Sequence, residues 1–111
     1  MAELSIQSLT TTGLISSYTA AASAGDEIAN SGYVFVHFKN GAGAPTTVTI
    51  ASQVAPVPKG TTLIDLSIEV TAAGEKMAGF FNDGAFNDSS GMMQLTYSTH
   101  TSLTIAAISV T

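Results

Sequence analysis

Tyr33-Val34-Phe35-Val36-His37-Phe38-Lys39 alternates aromatic and β-branched side chains and is followed at once by the turn-forming run Asn40-Gly41-Ala42-Gly43-Ala44-Pro45. Residues of these types fit a pleated, packed surface, and they supply apolar groups to both faces, so the segment reads as a central strand. Thr46 to Ser52 then sets Val48 and Ile50 against Thr47 and Thr49, the period-two pattern of a second strand. A glycine-rich turn between two such runs predicts a hairpin.

The same period extends through most of the chain. Pro56 and Pro58 predict an extended connection over 53–60, because neither residue can donate to a sheet ladder. Beyond it Ile64, Leu66, Ile68 and Val70 alternate with Asp65, Ser67 and Glu69, as in a strand with one face in a core and the other in water. A turn over 72–75, a short strand over 76–81, a polar loop over 82–91 and strands over 92–97 and 103–110 complete the pattern. Near the N-terminus Leu4 and Ile6 alternate with polar neighbours, and the alanine-rich segment Tyr18 to Ala24 leaves a helical turn in competition with an extended arm. Six to eight short strands separated by turns predict an all-β fold: an antiparallel β-sandwich or a jelly-roll-like small barrel, built as a single domain over 1–111 with residues 1–12 as an N-terminal arm.

Composition narrows the function. The chain has 111 residues, no cysteine and no tryptophan, and a net charge of −5; its three cations are Lys39, Lys59 and Lys76. Without cysteine there is no disulfide framework and no thiol nucleophile. With so few cations and an acidic excess, neutralisation of nucleic-acid phosphates is not expected, and no apolar run approaches the roughly 18 residues that span a bilayer. Ala, Ser and Thr fill 44 of the 111 positions, which predicts a neutral, hydroxyl-rich surface of short side chains.

Candidates for chemistry are few. His37 shares a strand face with Tyr33 and Phe35, where a hydrogen-bonded structural histidine is expected, and His100 falls in a Ser/Thr-rich turn. No Gly-x-Ser-x-Gly elbow is present, and Asp65 and Glu69 lie on a strand face expected to meet water. The loop Phe81 to Asp88 carries Asn and Asp side chains of the kind hard cations favour, but it lacks the ligand spacing of a calcium loop, and the same residues are ordinary in turns. No enzyme activity, metal or cofactor is therefore expected. Its aromatic residues are more informative: Phe80 and Phe81 are adjacent, so one points inward and one outward, and they fold back with Phe86 to plug the sandwich or contact a partner. Sheet edges with few charges invite lateral pairing, which predicts assembly with itself or with a partner.

Several segments, taken in order, resemble small β-rich decoration or cement proteins encoded among the head genes of tailed bacteriophages. They are Tyr18-Thr19-Ala20-Ala21, Gly25-Asp26, Asn30-Ser31-Gly32 leading into the strand from Tyr33 to Lys39, and Thr47-Val48-Thr49-Ile50. Val70 to Glu75, the Gly79-Phe80 step into an Asn-rich loop, Leu95-Thr96-Tyr97 and Leu103-Thr104-Ile105 complete the likeness. The resemblance implies a non-enzymatic protein on the outer surface of the virion capsid, made in the host cytoplasm. It would bridge subunits of the major capsid protein as a homo-oligomer, dimer or trimer, contacting neither nucleic acid nor membrane. Interface candidates are Leu4, Ile6 and Leu9 from the arm, with Phe80, Phe81 and Phe86 from the loop. The alternative is a carbohydrate-binding or adhesive β-sandwich on a virion or secreted, for which Phe86 would be a contact.

Overall fold

A computed structural model describes residues 2–53, 65–81 and 83–110. The segment 54–60 expected to be extended and the strand position of Ile64 lie outside these residues. Among the described residues ten strands form two sheets: β1 (Ala2–Glu3), β2 (Ile6–Ser8), β3 (Thr19–Ala20), β4 (Asp26–Ala29), β5 (Val34–Asn40), β6 (Thr46–Ile50), β7 (Leu66–Val70), β8 (Glu75–Ala78), β9 (Met92–Tyr97) and β10 (Leu103–Ser109), with one helical turn, α1 (Asp83–Phe86). The first sheet runs β1-β4-β9-β6-β7 and the second β2-β10-β5-β8, with β3 also pairing β10. This is an all-β sandwich.

The core lies between the sheets and follows from alternation. Ile28, Val48, Ile50, Ile68, Val70, Met93 and Leu95 come from one sheet and Val34, Val36, Phe38, Leu103, Ile105 and Ala107 from the other, all buried. Their polar neighbours on β6 and β7, including Thr47, Thr49, Ser67 and Glu69, point away from it, as the period of two requires. Leu66 begins β7 at the margin of the sandwich and stays exposed, so the apolar face of that strand is buried only from Ile68 onward.

Two expectations are corrected. β5 and β6 do not form a hairpin: β5 lies in the second sheet and β6 in the first, so the turn between them is an arch that carries the chain from one layer to the other. Asn40 holds the arch. Its buried side-chain Nδ2 donates to Ala44 O at 2.9 Å and to Val70 O and Thr71 O, each at 3.2 Å, while its Oδ1 accepts from Ala42 N at 3.0 Å. Replacing Asn40 with Ala strands these groups in the interior and is expected to cost about 3 kcal/mol, read as a lower denaturant midpoint at unchanged slope.

The second correction concerns residues 1–12. Rather than a free arm, they place one strand in each sheet: β1 runs parallel to β4, and β2 runs parallel to β10. Leu4, between them, is buried in the core and its N–H donates to Glu27 O at 2.9 Å. The sandwich is therefore antiparallel except at these two parallel pairs. For the Ala-rich segment the extended alternative holds: it forms the short strand β3 and a turn, with β3 pairing along β10.

Candidate functional site

Exposed apolar side chains converge where the second sheet ends. Val110 N donates to Tyr33 O at 3.1 Å and Leu9 N donates to Ser109 O at 2.8 Å, which brings the end of β10, the start of β5 and the segment after β2 together. The Tyr33 and Phe80 rings meet edge to face at 6.4 Å. Of this group Tyr33 is 55% exposed, Phe80 56%, Met77 63% and Leu9 51%. Beside them Phe35, Met77, Ala78, Gly79 and Phe80 line a hollow of about 270 Å³.

Local sequence explains the hollow. His37 pairs with Met77 and Val36 with Ala78, so β8 runs along β5 as the outermost strand, and Phe35 and Met77 share the outer face. Gly79 then lets the chain press against β5. Its φ is +148°, and a Cβ there would fall 2.7 Å from Phe35 Cβ and 2.8 Å from Phe35 Cα. Gly79→Ala is accordingly expected to destabilise the fold by about 2 kcal/mol and to displace Phe80, seen in thermal unfolding and in the Phe80 ring resonances.

The predicted contact residues divide between core and surface. Leu4 and Phe81 are buried and unavailable to a partner, a correction to their reading as interface residues; Ile6 is half-buried against the core. Phe81 is the inward ring of the adjacent pair and meets Phe86 edge to face at 6.3 Å, with Phe86 half-buried on α1. These two rings plug the sandwich. Leu9 and Phe80 remain at the surface, and Tyr33, Met77 and Val110 join them without having been singled out; Met77 is exposed on β8, while Tyr33 and Val110 stand exposed just outside the ends of β5 and β10.

The polar loop is held by its own side chains. Asn30 Nδ2 donates to Phe81 O at 3.2 Å and to Asn87 Oδ1 at 2.9 Å, and Asn87 Nδ2 returns a bond to Asn30 O at 2.6 Å. Asp88 Oδ1 accepts from Ser90 N and Met92 N and its Oδ2 from Gln94 Nε2. The backbone N–H of Met92 and then that of Ser90 hold the Asp88 carboxyl below its ordinary range. These oxygens close a turn, and among the described residues no group of three His, Asp or Glu side chains is placed to hold a metal ion.

His37 joins Tyr18 and Glu75 in a chain of polar contacts on the outer face of β5 and β8. The Tyr18 hydroxyl lies 2.6 Å from Nδ1, and Nε2 lies 2.9 Å from Glu75 Oε1. Both ring nitrogens are thus engaged, Nδ1 with the tyrosine hydroxyl and Nε2 with the carboxylate. Lys39 Nζ stands 4.1 Å above the Tyr18 ring. This arrangement pins the segment before β3 onto the sheet, and the hollow beside Phe35 contains none of these groups. Asp65 and Glu69 are exposed, with Asp65 Oδ1 accepting from Ser52 N; His100 is exposed in its turn.

Comparison with protein-family models, with curated proteins and with solved structures finds no match.

Proposed function

We propose that this chain is a non-enzymatic structural protein that works by docking onto a larger regular assembly, and that the assembly is the outer surface of a phage capsid, where it bridges neighbouring subunits of the major capsid protein. The observation that carries the reading is the apolar end of the second sheet. Tyr33, Leu9 and Val110 stand exposed together there, and the adjoining hollow is lined by residues that contain no acid, base or nucleophile. Such a surface binds without reacting. The choice of a capsid rests on the resemblance of its segments, in order, to head decoration proteins.

The physical chemistry is compatible with that role. Isolated exposed apolar residues are common, whereas several gathered at one end favour burial against a partner. A surface of Ala, Ser and Thr loses little side-chain entropy on contact, and a repeated lattice converts a modest interface into firm attachment through many parallel sites. An acidic chain with three lysines has little attraction for packaged DNA.

The test is binding to capsids stripped of this protein. Wild type should saturate them, and Tyr33→Asp together with Leu9→Asp should lower occupancy at least about tenfold while the far-ultraviolet spectrum is unchanged. Retention of the double variant at wild-type occupancy would remove this end from the docking surface.

A further inference from the structure

A second feature of the surface is complementary to the hollow. Ile15 is 96% exposed, the most exposed large apolar side chain among the described residues. It lies on a loop with a fixed base: Gln7 Nε2 donates to Ser17 O at 2.7 Å, Ser17 N donates to Gln7 Oε1 at 2.8 Å, and the turn before it is closed by Gly13 N on Thr10 O at 3.1 Å. Held in this way, Ile15 is presented to the surroundings at a reduced entropic cost of binding.

We infer that Ile15 of one copy inserts into the hollow between Phe35, Met77 and Phe80 of a second copy, so that the chain assembles with itself through a knob and a socket. Size permits it. A cavity of about 150 Å³ accepts a six-carbon ring, and the hollow of about 270 Å³ accepts the four carbons of an isoleucine side chain with neighbouring atoms. Backbone chemistry permits it as well. Among the described residues β8 forms the outer edge of its sheet, where alternate peptide groups point away from β5, so the loop carrying Ile15 can add alongside it as an extended strand.

Charge and area agree. From Leu4 to Gly25 the chain has no charged side chain, so the incoming loop brings no ion to be desolvated and no repulsion against Glu75 or Lys76 at the socket. In a reciprocal pair each copy buries its own Ile15 and the exposed halves of its own Met77, Phe80 and Tyr33, roughly 400 to 500 Å² of apolar surface, enough to form the core of an interface of roughly 800 Å² per partner. Each copy carries both knob and socket, so a reciprocal pair satisfies both surfaces of both copies. This contact and the proposed capsid contact share Tyr33 and the hollow, so one copy makes one or the other through this end, and self-association is read on the free protein.

The experiment is sedimentation equilibrium of the full chain from micromolar to millimolar concentration, for wild type, Ile15→Asp and Met77→Lys. Both substituted residues are exposed, so both variants should keep the wild-type melting transition. Wild type is expected to associate, each variant to dissociate at least about tenfold more readily, and an equimolar mixture of the two to recover a dimer, since one variant retains its socket and the other its knob. A wild type that stays monomeric throughout, variants that associate like wild type, or a mixture that stays monomeric would each overturn the inference. Capsid binding by a strictly monomeric wild type would reject this contact and leave the docking proposal standing.

Discussion

Removal of residues 1–8 is expected to unfold the protein, not to free a surface. The truncation deletes β1 and β2, one strand from each sheet, and with them the ladders to β4 and β10. It also removes Leu4 from the core; loss of a buried leucine side chain alone costs about 2 to 5 kcal/mol. Leu4 belongs to the same core cluster as Ile28 and Ala107, which stay fixed in their ladders to Met93 and Val36. A total on the order of 5 kcal/mol is comparable with the whole stability of a domain this size. Circular dichroism and amide exchange are the measurements, and loss of the cooperative melting transition is the expected outcome. Leu4→Ala should reproduce part of the effect, and a truncated chain that melts like wild type would show that the two parallel strands are dispensable.

Tyr97→Phe should be nearly as damaging, through one buried carboxylate. Asp26 is 1% exposed; its Oδ2 accepts from the Tyr97 hydroxyl at 2.6 Å and from Ala22 N at 3.1 Å, and its Oδ1 has no hydrogen-bond partner. Removing the phenol leaves a buried anionic group on a single N–H, an expected cost of about 3 kcal/mol. The same pair gives the fold a sensitivity to base. Burial, followed by the hydrogen bond to Asp26 and its charge, raises the Tyr97 pKa well above the ordinary tyrosine value. A raised folded-state value means that the contribution is fully present below about pH 10, where the unfolded chain titrates, and is lost as the pH rises further. Wild type should therefore lose stability in denaturant titrations above about pH 10, and Tyr97→Phe should show a flatter alkaline limb from a lower plateau.

The sequence makes some layers of this molecule plain and hides others for physical reasons. Val48 and Ile50, Ile68 and Val70, and the run from Val34 to Phe38 announce strands, because side-chain alternation is a local property of the backbone. Which strands pair is a non-local property. The segment Gly41 to Pro45 has the composition of a hairpin turn and serves as an arch between sheets, since the same residue types satisfy both geometries and Asn40 selects between them through contacts with Val70 and Thr71. The N-terminal segment was legible as alternating but not as parallel, because a two- or three-residue strand has too few positions to signal its partner.

At the surface, adjacency predicted that Phe80 and Phe81 would part, one to each side; that Phe81 is the buried ring follows from the plug it forms with Phe86. Tyr33, Met77 and Val110 were hidden because an apolar residue in a strand reads as core until the uncovered face is known. His37 was legible as a bonded structural residue, whereas its partners Tyr18 and Glu75, 19 positions before it and on β8, required the tertiary fold.

The most direct test of the docking role is the composition of purified particles. Virions from the source of this chain, banded in a density gradient, should contain it in copy number comparable to that of the major capsid protein, released by mild denaturant before the shell opens. Particles that carry the shell protein in full and none of this chain would contradict the account.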